Sequence, residues 1–201
     1  MKALCGRFQE AWQLCLRVGG TYHELGMQMA EAQNRADAAR IEMLSGDISA
    51  AERQLRASLN GLTALGEKTH LSTRAAELAE VLYLQGRYGE AEDFTRISEE
   101  MGAGDDVETQ AKWRAVRALV FARKGKFTEA RELGQEAAAR AEITDFLYLL
   151  GDVYFYVGEA ALLSNAASTA VIAYKKSLSF HEQKGNVPSA NKVRSLLEKI
   201  T

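Results

Sequence analysis

Apolar positions recur every three or four residues along most of the chain, as on one face of an α-helix. Near the N-terminus Leu4, Phe8, Ala11, Cys15 and Val18 follow this spacing. Short turn units separate the helical segments, and each unit begins with glycine or asparagine. These units are GRFQEA at Gly6, GDISAA at Gly46, GRYGEA at Gly86, GKFTEA at Gly125 and NAASTA at Asn165.

The turn units return at intervals of 40, 40, 39 and 40 residues, and a fixed period of this size is typical of stacked repeats. Small residues keep constant distances from the turns, which lets neighbouring helices approach closely. The three small columns are Ala11, Ala51, Ala91, Ala130 and Ala170; Ala39, Ala79, Ala118 and Gly158; and Ser58, Ser98, Ala137 and Ser177. We predict an all-α, right-handed superhelix of antiparallel helix pairs, with these columns at the helix crossings.

The spacing predicts one solenoid of about ten helices over residues 1–201. A half repeat over 1–19 ends at Gly19 and Gly20, because glycine commonly stops a helix. Because no room precedes the turn unit at Gly6 for a first helix, the chain is expected to begin in mid-repeat. The four repeats and the capping helix are predicted over residues 21–66, 71–102, 105–142, 144–184 and 187–201.

Charge, apolar run length and cysteine spacing exclude several classes of function. The formal net charge of -2 argues against nucleic-acid binding, which needs a basic surface. No apolar run is long enough to span a membrane. Cys5 and Cys15 lie ten residues apart on one predicted helix, too far apart for a disulfide and without a metal-ligand partner. We therefore expect a cytoplasmic chain with no membrane or nucleic-acid partner.

The sequence carries no recognisable catalytic motif. It has no GxxxxGK[ST] loop for phosphate and no GxSxG nucleophile elbow. His23, His70 and His181 fall in different repeats without zinc-ligand spacing. Aromatic residues are frequent between Phe146 and Leu163, where helical spacing favours core packing. We expect no enzymatic activity, no cofactor and no metal.

The turn units resemble the tetratricopeptide repeat, in which glycine is followed by an aromatic residue two positions on and alanine five positions on. GRF, GRY and GKF match this pattern, with Ala11, Ala91 and Ala130 at the alanine position. Two copies depart, because Ile48 replaces the aromatic residue and Asn165 replaces the glycine. The period also exceeds the 34 residues usual for the family.

This resemblance implies that the first helix of each repeat lines a concave groove. Positions thirteen, ten, six and three before the turn residue then face the groove. The charged and aromatic candidates at these positions are Arg40, Glu80, Tyr83, Lys112, Asp152, Phe155 and Glu159. Such a groove suits an extended peptide or a partner helix; a solvated inner surface with ion pairs between repeats is the alternative.

Arg117 is a further candidate, four residues after Trp113. Its guanidinium is expected either to stack on the indole or to pair with an acid of the next repeat, Asp152 being the best placed. Without that pair, Arg117 becomes a stronger ligand candidate.

A second resemblance covers most of the chain. LAEVLYLQGRYGEAEDFTRISEE, GDDVETQAKWRAVRALVFARKGKFTEA, TDFLYLLGDV and YKKSLSFHEQKGNVPSANKVRSLL are similar to the C-terminal repeat region of bacterial multidomain signalling proteins. Those proteins carry a nucleotide cyclase or DNA-binding domain and an ATPase module ahead of the repeats. The resemblance implies a sensory or docking appendage.

Two functions follow from these patterns. The first is a protein- or peptide-interaction module, the sensor or scaffold part of a bacterial signalling or transcription-regulatory protein. The second is a small-molecule-sensing repeat domain that regulates an associated ATPase or nucleotide cyclase. An open, continuous groove favours the first function, and a pocket closed by the aromatic helix 146–163 favours the second.

The N-terminal half repeat is also a candidate for self-association. Its apolar face has no preceding helix to cover it, and bare apolar surface favours association. We expect a homodimer through this end, with Leu4, Phe8 and Trp12 as the candidate contacts.

Overall fold

The computed structural model describes residues 1–200, and 83% of the chain is helical. No strand occurs within those residues. A short 3-10 turn over Ala3–Cys5 precedes ten α-helices. The helices are α1 (Phe8–Glu24), α2 (Gln28–Ser45), α3 (Ile48–Ala64), α4 (Thr69–Leu84), α5 (Tyr88–Met101), α6 (Val107–Arg123), α7 (Phe127–Ala141), α8 (Leu147–Leu163), α9 (Ala167–Lys184) and α10 (Val187–Ile200).

The helices pack as consecutive pairs, α2 with α3, α4 with α5, α6 with α7 and α8 with α9. Within the inner layer α4 packs on α6 and α6 on α8, while α3, α5 and α7 each contact the first helix of the following pair. α10 packs on α9 and reaches the 3-10 turn near the N-terminus. This arrangement confirms the predicted tetratricopeptide-like solenoid. None of the helices described is long and apolar enough to cross a membrane.

The small columns lie where the helices cross. Ala51 and Ala91 are fully buried, and Ala130 is 1% exposed. Two buried serines of the third column bond to the partner helix: Ser58 Oγ donates to the carbonyl oxygen of Ala32 at 2.7 Å, and Ser177 Oγ donates to that of Gly151 at 2.8 Å. Small side chains therefore bring the helices of each pair into contact, as predicted.

The repeated turn has a left-handed residue at its start, which explains its preference for glycine. Gly46 has φ 94° and Gly86 has φ 78°. In the fifth unit Asn165 takes this place with φ 56°, and among residues 1–200 it is the one non-glycine residue with a positive φ. Asparagine tolerates this conformation better than most residues.

The predicted stop at Gly19 and Gly20 is wrong. α1 continues to Glu24, and Gly26 (φ 66°) follows its end. A Cβ atom on Gly19 would lie 2.6 Å from Nδ2 of Asn34, so this glycine allows close approach of α2. The single helix predicted to carry Cys5 and Cys15 is likewise interrupted, because Gly6 turns the chain between the 3-10 turn and α1.

Candidate functional site

The first helices of the four pairs (α2, α4, α6 and α8) and α10, here called the inner helices, surround a cavity of about 450 Å³. α2, α4, α6, α8 and α10 all contribute to its wall, as do α3 and the end of α9. Apolar side chains such as Met43, Leu84 and Phe155 form part of the wall. Its ionisable side chains are Arg40, Glu77, Glu80, Lys112, Asp152, Tyr156, His181 and Lys192.

A buried ion-pair network forms one side of the cavity. Lys112 has a side chain only 5% exposed, and its Nζ lies 3.1 Å from Glu77 Oε1 and 3.4 Å from Glu108 Oε1. Arg74 Nη1 lies 2.6 Å from the other oxygen of Glu77. Burial raises the pKa of Glu77, but the charges of Lys112 and Arg74 outweigh burial and leave this pKa below its usual value. Burial lowers the pKa of Lys112, but the neighbouring acids outweigh burial and raise this pKa above its usual value. Glu77 and Lys112 are therefore both charged at neutral pH.

Arg40 crosses the interior from α2 to α8. Its Nη2 lies 3.5 Å from Asp152 Oδ2, and its guanidinium lies 5.1 Å from the ring centroid of Tyr148. Arg40 also borders a second cavity of about 640 Å³, which includes Leu4 in its wall. Arg40, whose side chain is 39% exposed, therefore lies where the two cavities adjoin.

Glu80 differs from the other acids of the wall. Within residues 1–200 it has no cationic group within ion-pair distance, and the nearby Tyr156 hydroxyl favours its charged form. Burial, together with the negative charge of Asp152, raises the pKa of Glu80 to about 7. Its carboxyl group is consequently near half-protonated at neutral pH.

Asp152 links Arg40 to a buried histidine. His181 is 2% exposed, and its Nε2 lies 3.8 Å from Asp152 Oδ1. Burial lowers the pKa of His181 more than the charge of Asp152 raises it, so the ring is neutral at neutral pH. Its Nδ1 has no hydrogen-bond partner among the residues described.

Five of the eight groove candidates lie in the cavity wall, namely Arg40, Glu80, Lys112, Asp152 and Phe155. Two others lie outside it and are engaged elsewhere. The Tyr83 hydroxyl accepts a hydrogen bond from Arg123 Nε at 3.2 Å, and Glu159 accepts one from the Tyr174 hydroxyl.

The predicted pair of Arg117 with Asp152 is wrong. Arg117 Nη1 lies 2.6 Å from Glu99 Oε2, and its Nε donates to Thr95 Oγ1 at 2.9 Å. Arg117 therefore faces α5, whereas Asp152 faces the interior. The alternative stack is confirmed, since the Arg117 guanidinium lies 4.3 Å from the Trp113 ring centroid.

Sequence reasoning missed Glu77, His181 and the part of α10 that borders the cavity. Glu77 lies three residues before Glu80, so helical spacing was a usable signal for it. His181 comes from the second helix of its pair, and the pattern assigned no groove positions to second helices. α10 was expected only to cap the solenoid, whereas Pro188 and Lys192 also line the cavity.

The proposed self-association residues are partly buried in the single chain. Leu4 borders the second cavity, and Trp12 borders a third, of about 380 Å³, between α1 and α2. Other apolar side chains of α1 are more exposed, notably Leu16 at 57% and Leu25 just beyond its end at 68%.

Three comparisons with known proteins bear on this geometry. The family model described as "Tetratricopeptide repeat" matches residues 115–140. The match supports the tetratricopeptide-repeat family. Repeats of this kind generally mediate protein–protein interaction, and the fold is typically non-catalytic. A search of curated proteins found no match.

Among solved structures, the chain is similar to the crystal structure of BtubC (BKLC) from P. vanneervenii. The similarity has a TM-score of 0.58 and covers 98% of this chain and 89% of that chain. Sequence identity is 17%, so the likeness concerns the fold alone.

Proposed function

We propose that the chain is a non-catalytic interaction module that binds a short segment of a partner protein in the concave cavity. The convergence of five inner helices on one mixed charged and apolar cavity carries this proposal. Its volume falls within the range of about 300–1,000 Å³ typical of ligand sites. A cavity of about 450 Å³ holds a short segment, which does not run the full length of the solenoid.

The proposed setting is the cytoplasm of a bacterium, with the chain as the sensor or scaffold part of a signalling or transcription-regulatory protein. The support is the similarity of several segments to the C-terminal repeats of bacterial multidomain signalling proteins. Proteins of that type couple their repeats to cyclase or ATPase modules, and docking of a partner segment is a suitable input for such coupling.

A small-molecule-sensing repeat domain that regulates an associated ATPase or nucleotide cyclase is the second candidate. The aromatic side chains of α8 in the cavity wall, Phe155 and Tyr156, favour it. A cavity of this size suits a compact ligand as well as a peptide side chain.

Phage selection of random peptides on the full chain tests the first function. Selected peptides should bind the wild type and lose at least roughly tenfold in affinity with Arg40→Ala, since about 1.4 kcal/mol corresponds to tenfold. Arg96→Ala, on the outer surface of α5, is the matched control and should bind normally. Peptides that bind both variants equally would contradict binding in the cavity, and a small-molecule screen that alone yields ligands would favour the second function.

We also propose a homodimer through the N-terminal end, supported by the exposed apolar side chains of α1. Phe8→Glu should shift the chain towards monomer in light scattering at high concentration, because a buried charge at the contact is costly. Gln9→Glu, an exposed position beside it, should leave the mass unchanged. A wild-type chain that is monomeric at every concentration would refute the dimer.

A further inference from the structure

Glu80 lacks an ion-pair partner among residues 1–200, although cationic side chains lie in the same cavity wall. The ionisable groups that face it are Glu77 on its own helix, Lys112 on α6, Asp152 and Tyr156 on α8, and Arg40 on α2. None of these groups supplies an ion pair to Glu80 within residues 1–200.

Each cationic side chain of the wall already contacts an acidic or aromatic side chain. Lys112 is held between Glu77 and Glu108, and Arg40 is held by Asp152 and the Tyr148 ring. Lys192 Nζ lies 4.3 Å from the ring centroid of Phe155. No cationic side chain of the described wall is therefore free to pair with Glu80.

His181, the buried histidine of the wall, is already packed against α8. Its ring borders the cavity and is 2% exposed, but its unpaired Nδ1 faces Gly151, where an added Cβ would lie 2.6 Å from this atom. Glu80 is therefore the polar group of the wall that a ligand can complete.

The rest of the wall is suited to an aliphatic stem. Met43, Leu84 and Phe155 border the same cavity as Glu80. Lysine and arginine side chains bury their methylene groups along apolar surface while the charged end meets a polar partner. The apolar part of this wall, with one unpaired carboxyl group beside it, fits such a side chain.

We propose that the cavity receives a lysine or arginine side chain of the bound peptide, with the Glu80 carboxylate as its counter-ion. This inference rests on the proposed peptide-binding function and names the side chain that the site selects. Tyr156 lies beside the Glu80 carboxyl group, and Asp152 adds negative charge nearby.

Binding of the cation should be coupled to ionisation of Glu80. A cation stabilises the charged carboxylate and lowers its pKa, so binding at pH 7 should release about half a proton per molecule bound. Affinity should therefore rise roughly tenfold between pH 6 and pH 8, as Glu80 changes from mostly protonated to mostly ionised. The ammonium and guanidinium groups of the ligand stay charged over this interval.

The direct test is an NMR titration of the full chain with Nα-acetyl-lysine amide, Nα-acetyl-arginine amide and Nα-acetyl-norleucine amide. Both cationic probes should shift the backbone signals of α4 and α8 at millimolar concentration, with higher affinity at pH 8, and the norleucine probe should not. Equal binding of all three probes would overturn the inference.

Variants of the chain sharpen the test. Glu80→Gln removes the charge with almost no change in size, and it should weaken binding of the lysine probe at pH 8 by tenfold or more and remove the pH dependence. Glu132→Gln removes the same charge from the exposed surface of α7 and should change neither. Circular dichroism spectra that match the wild type establish that both variants are folded.

Two further experiments are needed. One distinguishes a peptide ligand from a small amine, and the other distinguishes the Glu80 inference from the proposed peptide binding. Butylamine that binds while the lysine probe does not would overturn a peptide source and favour a small amine. If a phage-selected peptide binds the inner helices and tolerates norleucine at every lysine and arginine, peptide binding stands and the Glu80 inference fails. If no peptide binds but both cationic amide probes bind through Glu80, the cation site stands and the peptide function fails.

Discussion

Two ion pairs, one inside the solenoid and one on its outer side, show how burial changes the role of similar chemistry. Lys112 and Glu77 lie 3.1 Å apart with side chains 5% and 16% exposed. Arg117 and Glu99 lie 2.6 Å apart, but the Glu99 side chain is 46% exposed. The shorter distance belongs to the pair that water screens more strongly. Surroundings, more than separation, determine what each pair contributes.

Removing the buried cation should have the largest effect. Lys112→Met leaves Glu77 with Arg74 alone in a poorly hydrated site, and breaking a buried pair typically costs about 3–5 kcal/mol. Urea denaturation at pH 7 measures the loss in the free energy of unfolding. Lys176→Met is the exposed control, since its partner Glu142 and Lys176 itself are both 49% exposed, and it should cost less than about 1 kcal/mol. Equal losses would contradict the comparison.

The unpaired acid of the interior should make stability depend on pH. Burial and Asp152 raise the pKa of Glu80 from 4.5 to about 7, so the folded state holds this proton over a pH range where the unfolded state releases it. The stability of the wild type should therefore fall relative to Glu80→Gln as pH rises from 4.5 to 7. The relative loss should reach at most about 3 kcal/mol, at 1.36 kcal/mol per pKa unit.

Urea denaturation of both chains at pH 5 and pH 8 measures this difference. Effects of His181, whose lowered pKa acts in the opposite direction below pH 6.5, largely cancel because both chains contain it. A stability difference that does not change with pH would show that Glu80 is ordinarily ionised.

The crossings between the inner and outer layers should tolerate no added volume. Ala91 and Ala130 are 0% and 1% exposed, and overpacking a tight core typically costs about 1–3 kcal/mol. Ala91→Leu and Ala130→Leu should each lower the free energy of unfolding by this amount. Ala103→Leu, in the exposed turn before α6, should have little effect. A similar loss of stability there would show that the cost does not come from overpacking the helix crossings.

The smallest effect is expected on the outer side. Glu99→Gln keeps a hydrogen-bond acceptor for Arg117, and exposed pairs contribute about 0–1 kcal/mol. Thermal unfolding at low and high salt should show a small difference that decreases with salt. A loss as large as that of Lys112→Met would remove the distinction between the two sides.

Most of the fold was predictable from the repeat positions. Each turn needs a residue in the left-handed conformation and each helix crossing needs a small residue, so glycine and alanine recur at fixed spacing. Gly19 failed as a stop signal, since a glycine that allows close approach looks the same in sequence as one that ends a helix. The candidate site was predicted where a side chain lies on a first helix, as with Glu80. Arg117 was misplaced, because helix rotation decides which neighbour a side chain meets, and a single spacing does not define that rotation.

The most direct test of ligand binding in the concave interior is amide hydrogen exchange of the full chain with and without a phage-selected peptide. Binding in the cavity should slow exchange in α2, α4, α6, α8 and the start of α10, while α5 and α7 remain unchanged. Protection confined to the outer helices, with no change around Glu80 and Asp152, would contradict the proposed site.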